Sequence, residues 1–275
     1  MSRAKYWCLG VVVITPACHA GDHGFKSRRH RHKNIFEMRD ISMKRNIVIP
    51  FRNTCGTNEL KMCIKLIEKN MQDLYNKIYI LGDECFIDNP LVENVVIEEQ
   101  KYNKWIDSNF LVQYYICHID KEPFILFNDD FFITKKIQSI ETYYFSTLSN
   151  RLLTTYVIDT KINKLRPSMY GLNIMQFIRT YGDFDNYEVH IPMIVDYPLL
   201  MSLAIDEVNG NDCPALKRTM YQKLVRDKYG VINHIELLKD VKFGEPLNVI
   251  QYPFFSLADK EFDVFYPMFE EILSK

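Results

Sequence analysis

The sequence predicts an α/β protein, a mostly parallel sheet flanked by helices and followed by a helical C-terminal half. Three observations predict it. From Met43 onward, short β-branched runs alternate with segments of helical spacing. The runs 77–81 (KIYIL) and 123–127 (PFILF) read as strands, and the β-α-β-β-α-β order with short strands and intervening helices argues for a largely parallel sheet. The chain of 275 residues, 47% hydrophobic and 25% charged, is long enough to bury a substantial core without staples.

The elements follow in order. Residues 46–51 (NIVIPF) read as the first strand, ending in a loop with Arg52, Asn53 and Gly56. Thr57 or Asn58 can cap a helix in which Leu60, Ile64 and Ile67 recur at helical spacing as far as Asn70. Residues 77–81 form the second strand, stopped by Gly82 and Asp83, and 92–97 the third. A helix is expected around Trp105 to Ile119. The fourth strand, 123–127, delivers Asn128-Asp129-Asp130 at its carboxyl end, and Phe131-Phe132-Ile133 then returns to apolar. In parallel α/β sheets ligands bind outside the carboxyl ends of the strands, so Arg52, Asp83, Asp129 and Asp130 are expected on one edge.

Beyond this point regularity falls. Residues 143–155 and 168–179 read as helical or mixed, 188–194 carries His190 and Pro192, and 199–206 and 214–228 read as helices. Pro246, Pro253, Tyr252, Phe254 and Phe255 suggest a closing irregular segment. No internal repeat or low-complexity linker divides the chain, so residues 43–275 are expected to form one domain.

Charge and cysteine content narrow the class. Residues 1–42 hold eight of the 34 Lys/Arg and three of the 35 Asp/Glu, which leaves the remainder mildly acidic. Bulk charge therefore gives no reason for tight nucleic-acid binding. Seven cysteines without CxxC spacing argue against structural zinc or a disulfide framework, and fit reduced thiols in a cytoplasmic protein.

The first 42 residues admit three readings. Arg3 and Lys5 before the apolar run 8–14 resemble a short signal peptide, although that run is too short to span a membrane. The patch Arg28-Arg29-His30-Arg31-His32-Lys33 reads as a basic arm. We prefer an extension outside the fold, disordered or upstream of a start at Met43. No later hydrophobic segment is long enough to cross a membrane.

The sharpest chemical signal is Phe127-Asn128-Asp129-Asp130-Phe131-Phe132. Two carboxylates and an amide sit between apolar flanks, where an unpaired charge is costly. Such acids at a strand end can face Mg²⁺ or Mn²⁺ whose shell is completed by substrate phosphates. A strand-ending turn is the plain alternative, since Asn and Asp both favour turns. Arg52 can grip phosphate or base, or pair with a surface acid. Asn58 can be a cap alone, His190 a base, a metal ligand or a structural ring, and Arg218 a phosphate clamp or a solvated helical side chain. No GxGxxG, Walker, HExxH or GxSxG pattern occurs, which sets aside the enzyme classes that need them.

These pieces, in this order, resemble the Stealth family of capsule-polysaccharide phosphosugar transferases and related phage glycosyltransferase-like proteins. The matching segments are Thr57-Asn58-Glu59-Leu60 with the helix to Asn70, Lys77-Ile78-Tyr79-Ile80, Asp107-Ser108-Asn109, the Asn-Asp-Asp block, His190-Ile191-Pro192 and Arg218-Thr219-Met220-Tyr221. The resemblance implies a GT-A-like fold, a nucleotide-sugar donor, Mn²⁺ or Mg²⁺, and transfer of a sugar or sugar phosphate to a hydroxyl. The acceptor would be a polysaccharide, a small molecule or a hydroxymethylated DNA base. It implies that Asp129 and Asp130 take the metal, that Asp130 and His190 serve the chemistry, and that Arg218 faces the phosphates. Arg52, Asn58, Asp83, Asn109 and Asn128 would border the donor. The family places an aspartate at the end of strand one, where this chain reads Ile47-Val48-Ile49-Pro50-Phe51-Arg52. Plain glycosyl transfer is therefore the expectation, and the alternatives are a DNA glycosyltransferase acting on hydroxymethylated bases with the basic arm 28–33 on the duplex, or a non-catalytic nucleotide- or carbohydrate-binding module.

Overall fold

Both faces of the first strand, β1 (Arg45–Phe51), are covered, and this organises the rest of the molecule. Side chains along a strand alternate between faces. Ile47 and Ile49 enter one core and Val48 the other, each fully buried. A computed structural model describes residues 43–54, 56–98, 111–112, 114–159, 164–196, 216–229, 234–237, 253–257 and 261–275.

The chain leaves β1, runs through α1 (Asn58–Asn70) and returns as β2 (Tyr75–Gly82) parallel to β1, with Ile47 opposite Ile78 and Phe51 opposite Gly82. β3 (Val92–Val96) adds outside β2, also parallel. The chain then crosses back, and β4 (Phe124–Leu126) pairs with the other side of β1, Val48 opposite Leu126. β9 (Met193–Val195) closes that side antiparallel to β4, giving the order β3-β2-β1-β4-β9. The sheet is thus mixed and mostly parallel, as the sequence predicts. The helix expected from Trp105 is present at 111–112 and 114–118. Trp105, Asn109, the helix expected at 199–206 and the basic patch 28–33 lie outside the described residues.

Two layers cover the sheet. On one face Ile47, Ile49, Ile78, Ile80, Ile125 and Phe127 pack with the buried side of α1. On the other, Val48, Tyr79, Leu81, Phe124 and Leu126 pack with Leu111, Tyr115 and Ile116, and with Tyr221 and Val225 of α4 (Lys217–Tyr229). Burying each large apolar side chain is worth about 1.5–3 kcal/mol. These alternating residues are what hold the strands in register.

The described part of the second half is helical at 169–181 and 217–229, as expected, and mixed elsewhere. Of the segment 143–155, only α2 (Leu148–Leu153) is helical, after a two-residue strand β6 (Tyr143–Tyr144) that pairs with β10 (Ile235–Glu236). A hairpin, β7 (Tyr156–Asp159) with β8 (Lys164–Pro167), precedes α3 (Met169–Tyr181). The closing segment is not irregular where described. β11 (Phe254–Ser256) pairs antiparallel with β5 (Phe131–Ile133), and α5 (Phe262–Ser274) ends the chain. Pro267 lies inside α5, and a proline there reads as a helix breaker in sequence. Burial of Phe262 and Phe269 against Phe132 outweighs it.

Candidate active site at the carboxyl edge of the sheet

β1 has β2 on one side and β4 on the other, so the carboxyl ends of β1 and β4 flank the point where strand order reverses. Open α/β sheets form their ligand crevice there. Arg52 follows β1, Asp83 follows β2, and Asn128-Asp129-Asp130 follow β4. The expected gathering on one edge is therefore met in the topology.

The acidic block is a turn as well as a pair of acids. Phe131 N–H donates to the Asn128 carbonyl at 3.3 Å, closing the chain between β4 and β5. The same carbonyl accepts from Cys63 Sγ of α1 at 3.8 Å. Burial, with Asp129 and Asp130 nearby, pushes the Cys63 thiol well above its usual range. The fields of both acids therefore reach into the core beneath them.

Pairing then brings residues from distant segments to Asp130. Leu126 of β4 faces Met193 of β9, so the residues just before β9 lie against those just after β4. His190 Nδ1 stands 3.6 Å from Asp130 Oδ2. Ser256, opposite Phe131 in the β11–β5 ladder, is fully buried and donates from Oγ to Asp130 Oδ2 at 3.3 Å. It also lies 3.5 Å from His190 Nδ1. Asp130 and His190 keep 23% and 28% of their side-chain surface open, so a ligand can reach both.

Arg218 arrives from the first turn of α4. It is 6% exposed, which removes it from the solvated class that helical arginines usually occupy. Its Nη1 donates to the Ile191 carbonyl at 2.6 Å, and its guanidinium lies 5.4 Å from the centre of the Phe131 ring. Phe131 also meets the His190 ring edge-on, with centroids 5.9 Å apart. Burial lowers the affinity of Arg218 for its proton, while Glu188 and Asp130 act in the opposite direction. Glu188 Oε1 accepts from Thr219 N–H at 3.0 Å, and burial raises its own carboxyl. Two buried atoms here, Asp130 Oδ1 and Arg218 Nη2, have no hydrogen-bond partner among the described residues.

The structure therefore brings Asp130, His190 and Arg218 together and adds Ser256, which no sequence motif marks. Asn128 and Asp129 belong to the same turn, with Asp129 half-buried. Asp83 sits further along the edge, its Oδ2 accepting from Asn53 N–H at 2.8 Å, so it ties the loops after β1 and β2 together. Arg52 and Asn58 are exposed on that stretch. Asn58 opens α1, and Thr57 stands at the cap position without a side-chain capping bond.

Comparison with protein-family models finds no match, and comparison with curated protein sequences finds none either.

No group of three or more His, Cys, Asp or Glu side chains among the described residues is arranged to hold a metal ion. The acids at this turn are Asp130 and Asp129. Asp130 offers one buried carboxylate oxygen without a partner, with Asp129 adjacent in the chain, while Oδ2 is already taken by Ser256. Mg²⁺ and Mn²⁺ are commonly held by one or two carboxylates, with substrate phosphates and water filling the shell.

Proposed function

We propose that the chain is a metal-assisted glycosyltransferase that moves a sugar from a nucleotide sugar to a hydroxyl acceptor. The observation that carries this reading is the pair of buried, unpartnered atoms of opposite charge, Asp130 Oδ1 and Arg218 Nη2, at the sheet's switch point. Buried polar atoms left without partners are costly, so a site that keeps two of them is built for a ligand that satisfies both. A metal-bound diphosphate has that character, since its oxygens accept from a guanidinium and its cation meets a carboxylate.

In this reading Asp130, with Asp129 beside it, would hold Mn²⁺ or Mg²⁺, which would supply charge neutralisation for the departing diphosphate. Arg218, anchored through Nη1 to Ile191, directs Nη2 at a phosphate oxygen. His190 faces Asp130 through Nδ1, so Nε2 is the atom left to take the proton of the acceptor hydroxyl. Arg52, Asn58 and Asp83 border the nucleotide further along the edge. Transfer of a sugar phosphate would use the same groups.

Calorimetry tests this with UDP-, GDP-, CDP- and ADP-sugars in Mn²⁺, on wild type and Asp130→Asn. Binding of one donor that needs the metal and is lost in Asp130→Asn at unchanged melting temperature is the expected result. A folded wild-type protein that binds none of the four rejects the reading.

A further inference from the structure

Ser256, Asp130 and His190 form a triangle whose three sides measure 3.3, 3.5 and 3.6 Å. Proton counting restricts how it can be satisfied. An ionised carboxylate only accepts, a serine hydroxyl has one proton to give, and a neutral imidazole has one N–H and one lone pair. If Ser256 gave its proton to His190 Nδ1, Asp130 Oδ2 would lose its donor while Oδ1 already has none. The carboxylate would then be left without a hydrogen bond in a largely buried position. If Ser256 donates to Asp130 instead, an Nδ1 lone pair would face oxygen lone pairs on two sides. Only with the proton on Nδ1 is every contact attractive.

We propose that Ser256 is the positioning residue that fixes the tautomer of His190, holding the proton on Nδ1 and leaving the lone pair on Nε2. The route is Nδ1–H to Ser256 Oγ and Oγ–H to Asp130 Oδ2, the direct Nδ1 to Oδ2 separation of 3.6 Å being too long for a hydrogen bond. Ser256 is suited to this by its place in the fold. It is fully buried, and the β11–β5 ladder holds its backbone opposite Phe131, the residue after Asp130. Which ring nitrogen carries the proton is set by the bond the other one makes, so the Ser256 contact at Nδ1 decides what His190 can do at Nε2. What Nε2 then does rests on the transferase reading; the tautomer itself does not.

Long-range ¹⁵N–¹H correlation spectra of the full chain with ¹⁵N-labelled histidine read the tautomer directly. They are recorded without donor or added metal at the alkaline end of a pH series, once the histidine signals stop changing. His190→Gln assigns the signal by its loss. Wild type is expected to show a protonated, pyrrole-type Nδ1 and a pyridine-type Nε2. Ser256→Ala is expected to lose the Nδ1–H form as the dominant species, and Ser256→Thr to retain it. A wild-type His190 protonated on Nε2 overturns the proposal whatever the variants do. An unchanged tautomer in folded Ser256→Ala also overturns it, because Asp130 would then suffice alone. The stated tautomer together with failure of all four nucleotide sugars to bind would reject the transferase reading and leave the role of Ser256 standing.

Discussion

Arg218 shows how position changes the meaning of a residue type. Its place in the first turn of a helix suggests a solvated side chain, yet it is buried, bonded to the Ile191 carbonyl and stacked near Phe131. Replacing it removes a charged hydrogen bond and a desolvated cation–π contact, and leaves Asp130 and Glu188 without their buried cation. Arg218→Met is expected to lower stability by about 3 kcal/mol in chemical denaturation. A loss below about 0.5 kcal/mol, the range of surface substitutions, would remove Arg218 from the frame of the site. Asp130 and His190 were legible as candidates because a carboxylate pair between aromatic flanks and a His before a Pro segment are local patterns. Ser256 was not, since an isolated serine after two phenylalanines carries no signal until β11 is seen against β5.

At the level of elements, the C-terminal pair β11 and α5 departs most from the sequence reading, and it bears directly on the site. Phe269 is fully buried and stacks on Phe132 at 4.4 Å between centroids, while Phe255 packs on Phe265 at 5.1 Å. These contacts hold β11 on β5 and so hold Ser256 beside Asp130. Phe269→Ala is expected to cost about 3–5 kcal/mol, measured by urea denaturation. A cost near zero would mean that α5 is not part of the packed core. Pro267 sits inside α5, and the energy that overrides its helix-breaking tendency comes from tertiary contacts with a strand more than a hundred residues away.

For the molecule as a whole, the two halves of the chain are not separate bodies. β9 completes the sheet begun by the first half, and Phe262 and Phe269 join the core formed by Ile47, Ile49 and α1. Neither half buries its apolar faces alone. Differential scanning calorimetry of the full chain is therefore expected to give a single transition, with calorimetric and van't Hoff enthalpies in agreement. Two resolved transitions would show that the halves unfold independently.

Some of this was determined by the sequence alone. The apolar period of β1, β2 and β4, the helical spacing of α1, and the acids after β4 are short-range patterns, and they suffice to place Arg52, Asp83 and Asp129-Asp130 on one edge of a mostly parallel sheet. What joins Asp130 to His190, Arg218 and Ser256 is decided only in the tertiary structure. Those residues lie 60 to 126 positions away from it, and their approach depends on the registers of β4 with β9 and of β5 with β11. Register is set by which apolar faces pack together, a property of the assembled core that no local stretch of sequence encodes.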